Sequence, residues 1–456
     1  MNENANRKVV LFVAMVGAFI TPFMGSAINV ALRSIGTEFA LSAVAQSWVA
    51  TSYILAAAMF LAPFGRLADI FGRKRIYLYG MIIYTISSAL CAFANSDALL
   101  IAFRVFQGIG SAMIFGTSMA ILTSVFPAQE RGKILGLNVG VTYIGLSAGP
   151  LIGGLLTEHF GWRSIFIVNI PFGLAIIAAI LLYLKGEWTG AKGEKFDVIG
   201  SIIYAVSIFG IIYGFSLIPK IEGGYVVFVG IIGIALFIFY EMRIKSPIIH
   251  MDLFRGNKVF LFSSLAALIS YSATAAVAFL LSQYLQYIKG FSPFDAGMVL
   301  MAQPIIQAIF SPAAGKLSDR IQPRKVASIG MALTTLGLFV LTFLNQGTHI
   351  VLIILGLIFL GFGFALFSSP NTNAIMSSVD KKFYGVSSGI LGTMRLVGQA
   401  LSMGIAILVI SIHIGGAQII PSNYPSFVSS MKTTFIILTV LCFAGIFASL
   451  SRGKLK

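Results

Sequence analysis

Long apolar runs alternate with short polar segments along the whole chain. A helix needs roughly 20 consecutive apolar residues to cross the hydrocarbon core of a bilayer, and fourteen of the runs approach or exceed that length. The pattern therefore predicts an all-α integral membrane protein with fourteen transmembrane helices. The predicted spans are 9–32, 48–64, 76–94, 98–125, 134–156, 162–184, 198–218, 225–242, 259–288, 296–314, 326–344, 350–375, 386–412 and 433–450.

Two polar, basic segments divide this series of spans. Residues 185–197 and 243–258 flank the seventh and eighth spans. We therefore expect a six-helix bundle at 1–184, two inserted helices with flanking cytoplasmic linkers at 185–258, and a second six-helix bundle at 259–456. An even number of spans places both termini on the same side of the membrane.

The composition agrees with membrane insertion and also explains the charge. Hydrophobic residues make up 58% of the 456 residues and charged residues only 10%, whereas soluble domains have about 25% charged residues. When successive spans are assigned alternate directions, most of the 31 Lys and Arg residues fall on one side. The positive-inside rule makes that side cytoplasmic, together with both termini. The net charge of +16 thus reflects orientation and implies no nucleic-acid partner.

The residues that commonly build catalytic, metal or cofactor sites are scarce. The two cysteines, Cys91 and Cys442, lie in apolar spans far apart in sequence, and the four histidines show no ligand spacing. We expect no metal, no cofactor and no enzymatic activity. The chain contains no Asn-x-Ser/Thr sequon, which fits a multi-pass protein of a prokaryotic cell (plasma or inner) membrane.

The stretch 65–75 is predicted to be a short cationic loop between the second and third spans. Gly65 and Gly72 would let two backbones approach closely. Asp69 would stay ionised and paired with one of the surrounding bases, which are Arg66, Arg73, Lys74 and Arg75. The alternative is a cytoplasmic anchor that holds one structural salt bridge.

Parts of the first half of the chain recur in the second half. Residues 315–320 repeat the pattern of 65–69, with Asp319 in place of Asp69, and residues 361–365 repeat that of 108–112. Both repeats are displaced by roughly 250 residues. Two similar halves that face a site at the midplane are typical of alternating-access carriers. The alternative is chance similarity between glycine-rich apolar helices.

The fifth span carries small residues at regular intervals. Gly145, Gly149 and Gly153 give it a smooth face for close helix packing, and Pro150 permits a kink. Such a helix suits a hinge or a seal between two halves. Ordinary small-residue packing without a gating role is the alternative.

Several of these motifs carry a family resemblance. Stretch 65–75 resembles the loop between helices 2 and 3 of the major facilitator superfamily, and 140–154 resembles the glycine-proline pattern of its antiporter branches. Stretch 162–173 is similar to the signature of the fourteen-helix drug:proton antiporters, and 196–200 and 246–254 resemble the flanks of that branch's two extra helices. The resemblance covers nearly the whole chain.

The resemblance implies two six-helix bundles with two extra central helices. It further implies a monomeric secondary active transporter that exports amphipathic, drug-like organic compounds by alternating access. The expected partners are a small organic substrate, protons exchanged by antiport, and the lipid bilayer.

The sequence departs from the branch at two positions. Met24 stands where the first helix usually carries an Asp, and Ile70 stands where an Arg is usual. Without that Arg, the resemblance favours Arg73 as the partner of Asp69. None of the 15 acidic residues falls in the middle of a predicted span. A midplane carboxylate that could bind a cationic drug or carry a proton is therefore not predicted, and the route of proton coupling stays open.

Candidate site residues follow from charge inside spans and from the family fold, in which helices 1, 4, 9 and 12 line the cavity. An ionisable residue inside a span is a functional candidate by default; snorkelling, or hydrogen bonding between helices, is the alternative in each case. The cavity candidates are Asn29, Arg104, Gln107, Gln283, Gln286, Asn371, Asn373 and Arg395, and the cytoplasmic gate candidates are Gly65, Asp69, Gly72, Arg73, Glu130 and Asp319.

Three other functions are compatible with some of these features. The fold could export or facilitate passage of an anionic metabolite or lipid-like acid through Arg104, without obligatory proton coupling. It could also serve as a membrane sensor or assembly factor. A membrane enzyme is disfavoured because the sequence shows no catalytic cluster.

Overall fold

The structure, a computed structural model, describes the backbone of residues 3–380 and 383–453, and the side chains of these ranges except at 3–5, 128–129, 131–133 and 319. Fourteen helices in this part of the chain are long and apolar enough to cross a membrane, which confirms the predicted number. They are α1 (Asn6–Glu38), α2 (Ala43–Phe71), α3 (Arg73–Ala92), α4 (Asp97–Val125), α5 (Ile134–Phe160), α6 (Ser164–Tyr183), α7 (Val198–Leu217), α8 (Ile221–Glu241), α9 (Lys258–Ile288), α10 (Pro293–Ser318), α11 (Pro323–Leu341), α12 (Ile350–Ser377), α13 (Tyr384–His413) and α14 (Pro421–Leu450).

The predicted loop at 65–75 is wrong over most of its length. Helix α2 continues to Phe71 and α3 begins at Arg73, so only Gly72 breaks the helical path. Its φ of 122° lies in the region that favours glycine. The hydropathy pattern fails here because the helix extends beyond the apolar region that the pattern detects.

The two repeated glycine pairs occupy corresponding places. A Cβ atom at Gly108 would lie 2.4 Å from a carbonyl oxygen of α2, and one at Gly110 would lie 2.7 Å from a backbone nitrogen of α3. In the second half, a Cβ atom at Gly361 would lie 2.6 Å from a carbonyl oxygen of α10, and one at Gly363 would lie 2.6 Å from a backbone nitrogen of α11. Helices α4 and α12 therefore pack against equivalent neighbours through equivalent glycines.

Helix α7 lies against helices of both halves. The Tyr204 hydroxyl of α7 donates to the Ala58 carbonyl of α2 at 2.9 Å, and Gly404 of α13 is close to the ring of Phe215. Helix α7 thus lies beside α2 and α13, and α8 packs against α7. We refer below to α1–α6 as the N set and to α9–α14 as the C set.

Candidate functional site

A cavity of about 460 Å³, including its open mouth, lies where α1, α4 and α5 of the N set meet α13 of the C set. Its lining belongs mainly to the halves of these helices nearer the basic side, which the positive-inside rule assigns to the cytoplasm. We call this the inner side. The described lining residues are Gly17, Ala18, Thr21, Ile114, Phe115, Ser118, Met119, Asn138, Val139, Thr142, Tyr143 and Arg395.

Arg395 supplies the charge of this cavity. Its guanidinium lies 5.9 Å from the ring centroid of Phe115 and 5.5 Å from that of Tyr271. No carboxylate occurs among the lining residues that the structure describes. The cavity therefore presents a half-buried cation between aromatic faces, a setting that suits an anionic or electron-rich ligand.

Free polar atoms add to the binding capacity of the cavity. Within the described part of the chain, the Asn138 Oδ1 and Ser118 Oγ atoms are buried and have no hydrogen-bond partner. Tyr143 instead shares a hydrogen bond of 2.8 Å with Ser368 of α12, which links the two sets. Buried polar atoms are normally satisfied, so the two free atoms are available to a ligand.

The glycine face of α5 explains why its polar residues face the cavity. A Cβ atom at Gly145 would lie 2.5 Å from the Phe19 carbonyl oxygen, and those at Gly149 and Gly153 would be equally crowded by α1. Because this face is packed on α1, the residues beside it, including Tyr143, line the cavity. The predicted close packing of these glycines is present in the structure. Their role as a hinge or seal remains a prediction.

Farther outward, α5 meets the C set. A Cβ atom at Gly297 of α10 would lie only 2.1 Å from the Pro150 carbonyl oxygen, and one at Gly154 would lie 2.5 Å from the Pro293 carbonyl oxygen. Helices α5 and α10 are thus in backbone contact. Pro150 lies at this contact between the sets.

Three of the predicted cavity residues instead join the sets at their outer ends. The Gln283 amide donates to Gln46 Oε1 at 2.5 Å, and the Gln286 amide donates to the Val30 carbonyl at 3.0 Å. The Asn29 carbonyl accepts from Ser282 at 2.7 Å. We call these contacts the outer seal. Asn29 contributes its backbone carbonyl, and none of Asn29, Gln283 and Gln286 lines the described cavity in this conformation.

Arg104 and Gln107 lie inside the N set and do not line the cavity. Arg104 is fully buried; its Nε donates to the Val49 carbonyl at 3.1 Å and its Nη1 to Gln107 Oε1 at 2.6 Å. Gln107 in turn donates to Ser88 at 2.8 Å. The guanidinium also lies 4.5 Å from the ring centroid of Tyr53. These contacts tie α4 to α2 and α3, and a role of Arg104 in substrate handling remains a prediction.

The two asparagines of α12 make contacts within the C set. The Asn371 amide donates to the Ser263 carbonyl at 3.3 Å, and the Asn373 amide donates to Ser318 at 3.2 Å. Neither residue lines the described cavity. Of the eight predicted cavity residues, the structure thus brings Arg395 to it.

At the proposed gate the structure joins Asp69 to Arg73. Asp69 Oδ1 accepts from Arg73 Nε at 2.9 Å and from Nη2 at 2.7 Å. Arg73 Nη1 also donates to Ser124 of α4 at 2.6 Å. Glu130 is exposed and forms none of the ion pairs found among described residues. The side chain of Asp319 lies outside the described part.

The two gate glycines differ from each other. A Cβ atom at Gly72 would lie 2.4 Å from the Glu187 carboxyl carbon, whereas one at Gly65 would meet no atom within 4 Å. The close neighbour of Gly72 is thus a side chain and not a second backbone, and Gly65 has room for a side chain. The predicted approach of two backbones is therefore not found at either glycine.

The segment after α6 covers this part of the protein, a contact that was not predicted from the sequence. Backbone amides of Gly190 and Ala191 donate to the Asp69 carbonyl, both at 2.9 Å. Arg66 forms an ion pair with Glu194, and its hydrogen bond holds the pKa of Glu194 below its usual value. The available signal in the sequence was the opposite charge of the two segments: this one carries Glu187 and Glu194, and the stretch 65–75 is basic.

Sequence reasoning also missed most of the cavity lining. Thr21, Asn138 and Thr142 were not selected because uncharged polar residues are common in apolar helices. The spacing of Asn138 and Thr142 was a usable signal, since residues four apart share one helix face. Asn138 lies one helical turn on the inner side of Thr142, and both line the cavity.

Comparisons with known proteins cover nearly the whole chain. The family model of the Major Facilitator Superfamily matches residues 14–403 and, in a second match, 263–453. The riboflavin transporter RibZ of Clostridioides difficile (strain 630) is 30% identical over 441 residues, which is 96% of each chain. The multidrug resistance protein Stp of Mycobacterium tuberculosis (strain CDC 1551 / Oshkosh) is 32% identical over 408 residues, covering 88% of this chain and 75% of Stp.

Solved structures show the same fold. A bacterial homologue of the human lysosomal transporter Spinster, in an inward-facing and unoccupied conformation, aligns with a TM-score of 0.71 at 16% identity and covers 98% of this chain and 97% of its own. A mutant of the peptide transporter POT in complex with alafosfalin aligns with a TM-score of 0.69 at 14% identity and covers 96% of this chain and 93% of its own.

Proposed function

Because this chain belongs to the major facilitator superfamily, we propose that it is a secondary active exporter of amphipathic organic compounds in a cell (plasma or inner) membrane. The observation that carries the proposal is the cavity between the two sets, with Arg395 and aromatic rings in its wall. Multidrug resistance among the relatives supports export of drug-like compounds, and the antiporter pattern at 140–154 supports the same direction.

The way the two sets meet supports alternating access as the transport mechanism. Residues 1–184 and 259–456 act as two bundles that rock about the cavity, with the inserted helices of 185–258 beside them. The outer seal consists of a few hydrogen bonds between polar side chains and carbonyls. Each is worth only about 0.5–1.5 kcal/mol net, so substrate binding can offset their loss when the outer side opens.

The charge of the cavity favours one class of substrate over another. A cationic drug would meet Arg395 and no compensating carboxylate among the described lining residues. An anionic or electron-rich planar compound would gain a charge-assisted contact with Arg395 and stacking on Phe115. This supports the second candidate function, export or facilitated passage of an anionic metabolite, with Arg395 in the role that the sequence suggested for Arg104.

Proton-coupled antiport by a monomer remains our proposal for the driving force. The position that carries an Asp in the resembled branch is occupied by Met24, which is fully buried and accepts a weak hydrogen bond from Asn169 at 3.5 Å. The proposed coupling therefore passes through groups outside the cavity or through an acidic group of the substrate itself.

Replacing Arg395 by glutamine tests the substrate assignment. Loss of a hydrogen bond to a charged group removes about 1.5–3 kcal/mol, so the Arg395→Gln variant is expected to move an anionic dye at least about tenfold more slowly. The measurement is flux in proteoliposomes with anionic dye, cationic dye and riboflavin, each with and without an imposed pH gradient.

The Arg395→Lys variant is the matched control. It keeps the positive charge but not the planar fork, so it is expected to retain part of the anionic flux. Cationic flux should not fall in either variant. Equal anionic flux in parent and Arg395→Gln protein would remove Arg395 from the substrate site, and absence of a pH-gradient effect would remove proton coupling.

A further inference from the structure

Arg452 is a buried cation for which the fold supplies little compensation. It follows the inner end of α14 and is only 1% exposed. Its Nη2 donates to Ser449 Oγ at 2.9 Å, while its Nε and Nη1 have no partner in the described part of the protein. Burial of an unpaired charge is costly, so this arrangement calls for a partner of opposite charge.

The free guanidinium atoms belong to a residue that lines a pocket. The pocket is an open depression at the inner ends of α9, α11, α12 and α14, with a volume of about 210 Å³ when the solvent-filled space at its mouth is included. Arg324 lines the same pocket and donates through Nε to Gln322 Oε1 at 2.9 Å. Neither arginine forms an ion pair with a carboxylate that the structure describes. The pocket therefore holds two positive charges without a described counter-charge.

A third positive feature lies at the same place. Helix α11 starts at Pro323, which also lines the pocket. The preceding Gln322 makes no side-chain capping hydrogen bond to this helix. The start of a helix carries a partial positive charge and free amide groups, and it binds anions such as phosphate. Burial lowers the pKa of Arg452 to about 9, so its guanidinium is still charged at neutral pH.

We propose that the pocket formed by Arg324, Arg452 and the start of α11 binds a phosphate group. Its position at the inner helix ends matches the depth of lipid headgroups, and basic pockets between helices on the cytoplasmic side bind anionic lipids. The phosphate can belong to an anionic phospholipid or to a soluble compound. This site is separate from the cavity with Arg395 and does not depend on the substrate proposed above.

The test is a thermal unfolding series on the delipidated full chain in neutral detergent. One arm adds phosphatidylglycerol, a second adds diacylglycerol, which carries no phosphate, and a third adds sodium phosphate against sodium chloride of equal ionic strength. A higher Tm with phosphatidylglycerol than with diacylglycerol supports a lipid phosphate. A higher Tm with sodium phosphate than with sodium chloride supports a soluble one.

Variants distinguish binding in this pocket from nonspecific attraction of anions to the basic surface of the protein. Arg452→Gln and Arg324→Gln are each expected to weaken binding at least tenfold in native mass spectrometry of the lipid-bound protein. Lys325→Gln removes an exposed positive charge next to Arg324 that does not line the pocket, and it is expected to bind like the parent.

The Arg452→Met variant gives a second test, in which the Tm of the ligand-free protein and the effect of the ligand on Tm are expected to change in opposite directions. The apolar side chain removes an unpaired buried charge, so the Tm without ligand is expected to rise while the increase caused by the ligand disappears. The proposal is overturned if the parent shows no preference for phosphatidylglycerol or phosphate over its control. It is equally overturned if Arg452→Gln and Arg324→Gln bind as tightly as Lys325→Gln.

Discussion

Replacing Gly145 by leucine is expected to abolish transport and to prevent assembly of the N set. A Cβ atom at this position would lie 2.5 Å from the Phe19 carbonyl oxygen of α1, and a backbone atom cannot rotate away as a side chain can. Overpacking by a few methylene groups typically costs about 1–3 kcal/mol, and here the clash also separates two helices that contact along most of their length. The measurements are the yield of monodisperse protein in detergent and flux in proteoliposomes.

The same helix offers a matched control. A Cβ atom at Gly140 would meet no atom within 4 Å, so the Gly140→Leu variant is expected to keep both folding and transport within about twofold, as surface substitutions usually do. If Gly145→Leu and Gly140→Leu behave alike, then the packing of α5 on α1 is not what the glycine spacing provides.

The location of the helices could be predicted from the sequence because hydropathy alone determines which segments enter a bilayer. The repeat of 108–112 at 361–365 indicated two similar halves, but it did not show that Gly108 and Gly361 lie against a neighbouring backbone. The positions at which the helices end on the inner side could not be predicted from hydropathy. The part of α2 that extends to Phe71 is amphipathic and charged, so a pattern based on apolar runs ends several residues too early.

The cavity itself could be predicted only in part, because residue type does not show which neighbour a polar side chain meets. Gln283 and Gln286 lie in an apolar helix and could equally have faced a ligand; in this conformation they bind the opposite set. Arg104 and Arg395 are both single charges within spans, and what distinguishes them is the tertiary environment. The spacing of Arg104 and Gln107, three residues apart on α4, was the one local sign of their hydrogen bond.

Replacing Gly297 by valine is expected to arrest transport without unfolding either set. A Cβ atom there would lie 2.1 Å from the Pro150 carbonyl oxygen across the contact of α5 with α10. The clash arises only when the outer ends of the two sets are together, as they are in this structure. It therefore raises the free energy of the outer-closed state alone, and about 1.4 kcal/mol already shifts such an equilibrium tenfold.

A cysteine at the outer seal can report this shift. Ser282 is fully buried and donates to the Asn29 carbonyl across the two sets at 2.7 Å, and Ser282→Cys changes its size little. The two native cysteines, Cys91 and Cys442, are buried. A membrane-impermeant maleimide added from outside is expected to label the Ser282→Cys protein slowly in the parent background and at least about tenfold faster in the Gly297→Val background.

The neighbouring residue gives the control for this experiment. Met298 is 49% exposed, so Met298→Val introduces the same side chain one position later without entering the contact, and both labelling and flux should match the parent. Slow labelling of the Gly297→Val protein together with normal flux would show that α5 and α10 separate without passing through this contact. Fast labelling with lost flux would instead identify the approach of α5 to α10 as the step that closes the outer side, because only that approach brings Gly297 against Pro150.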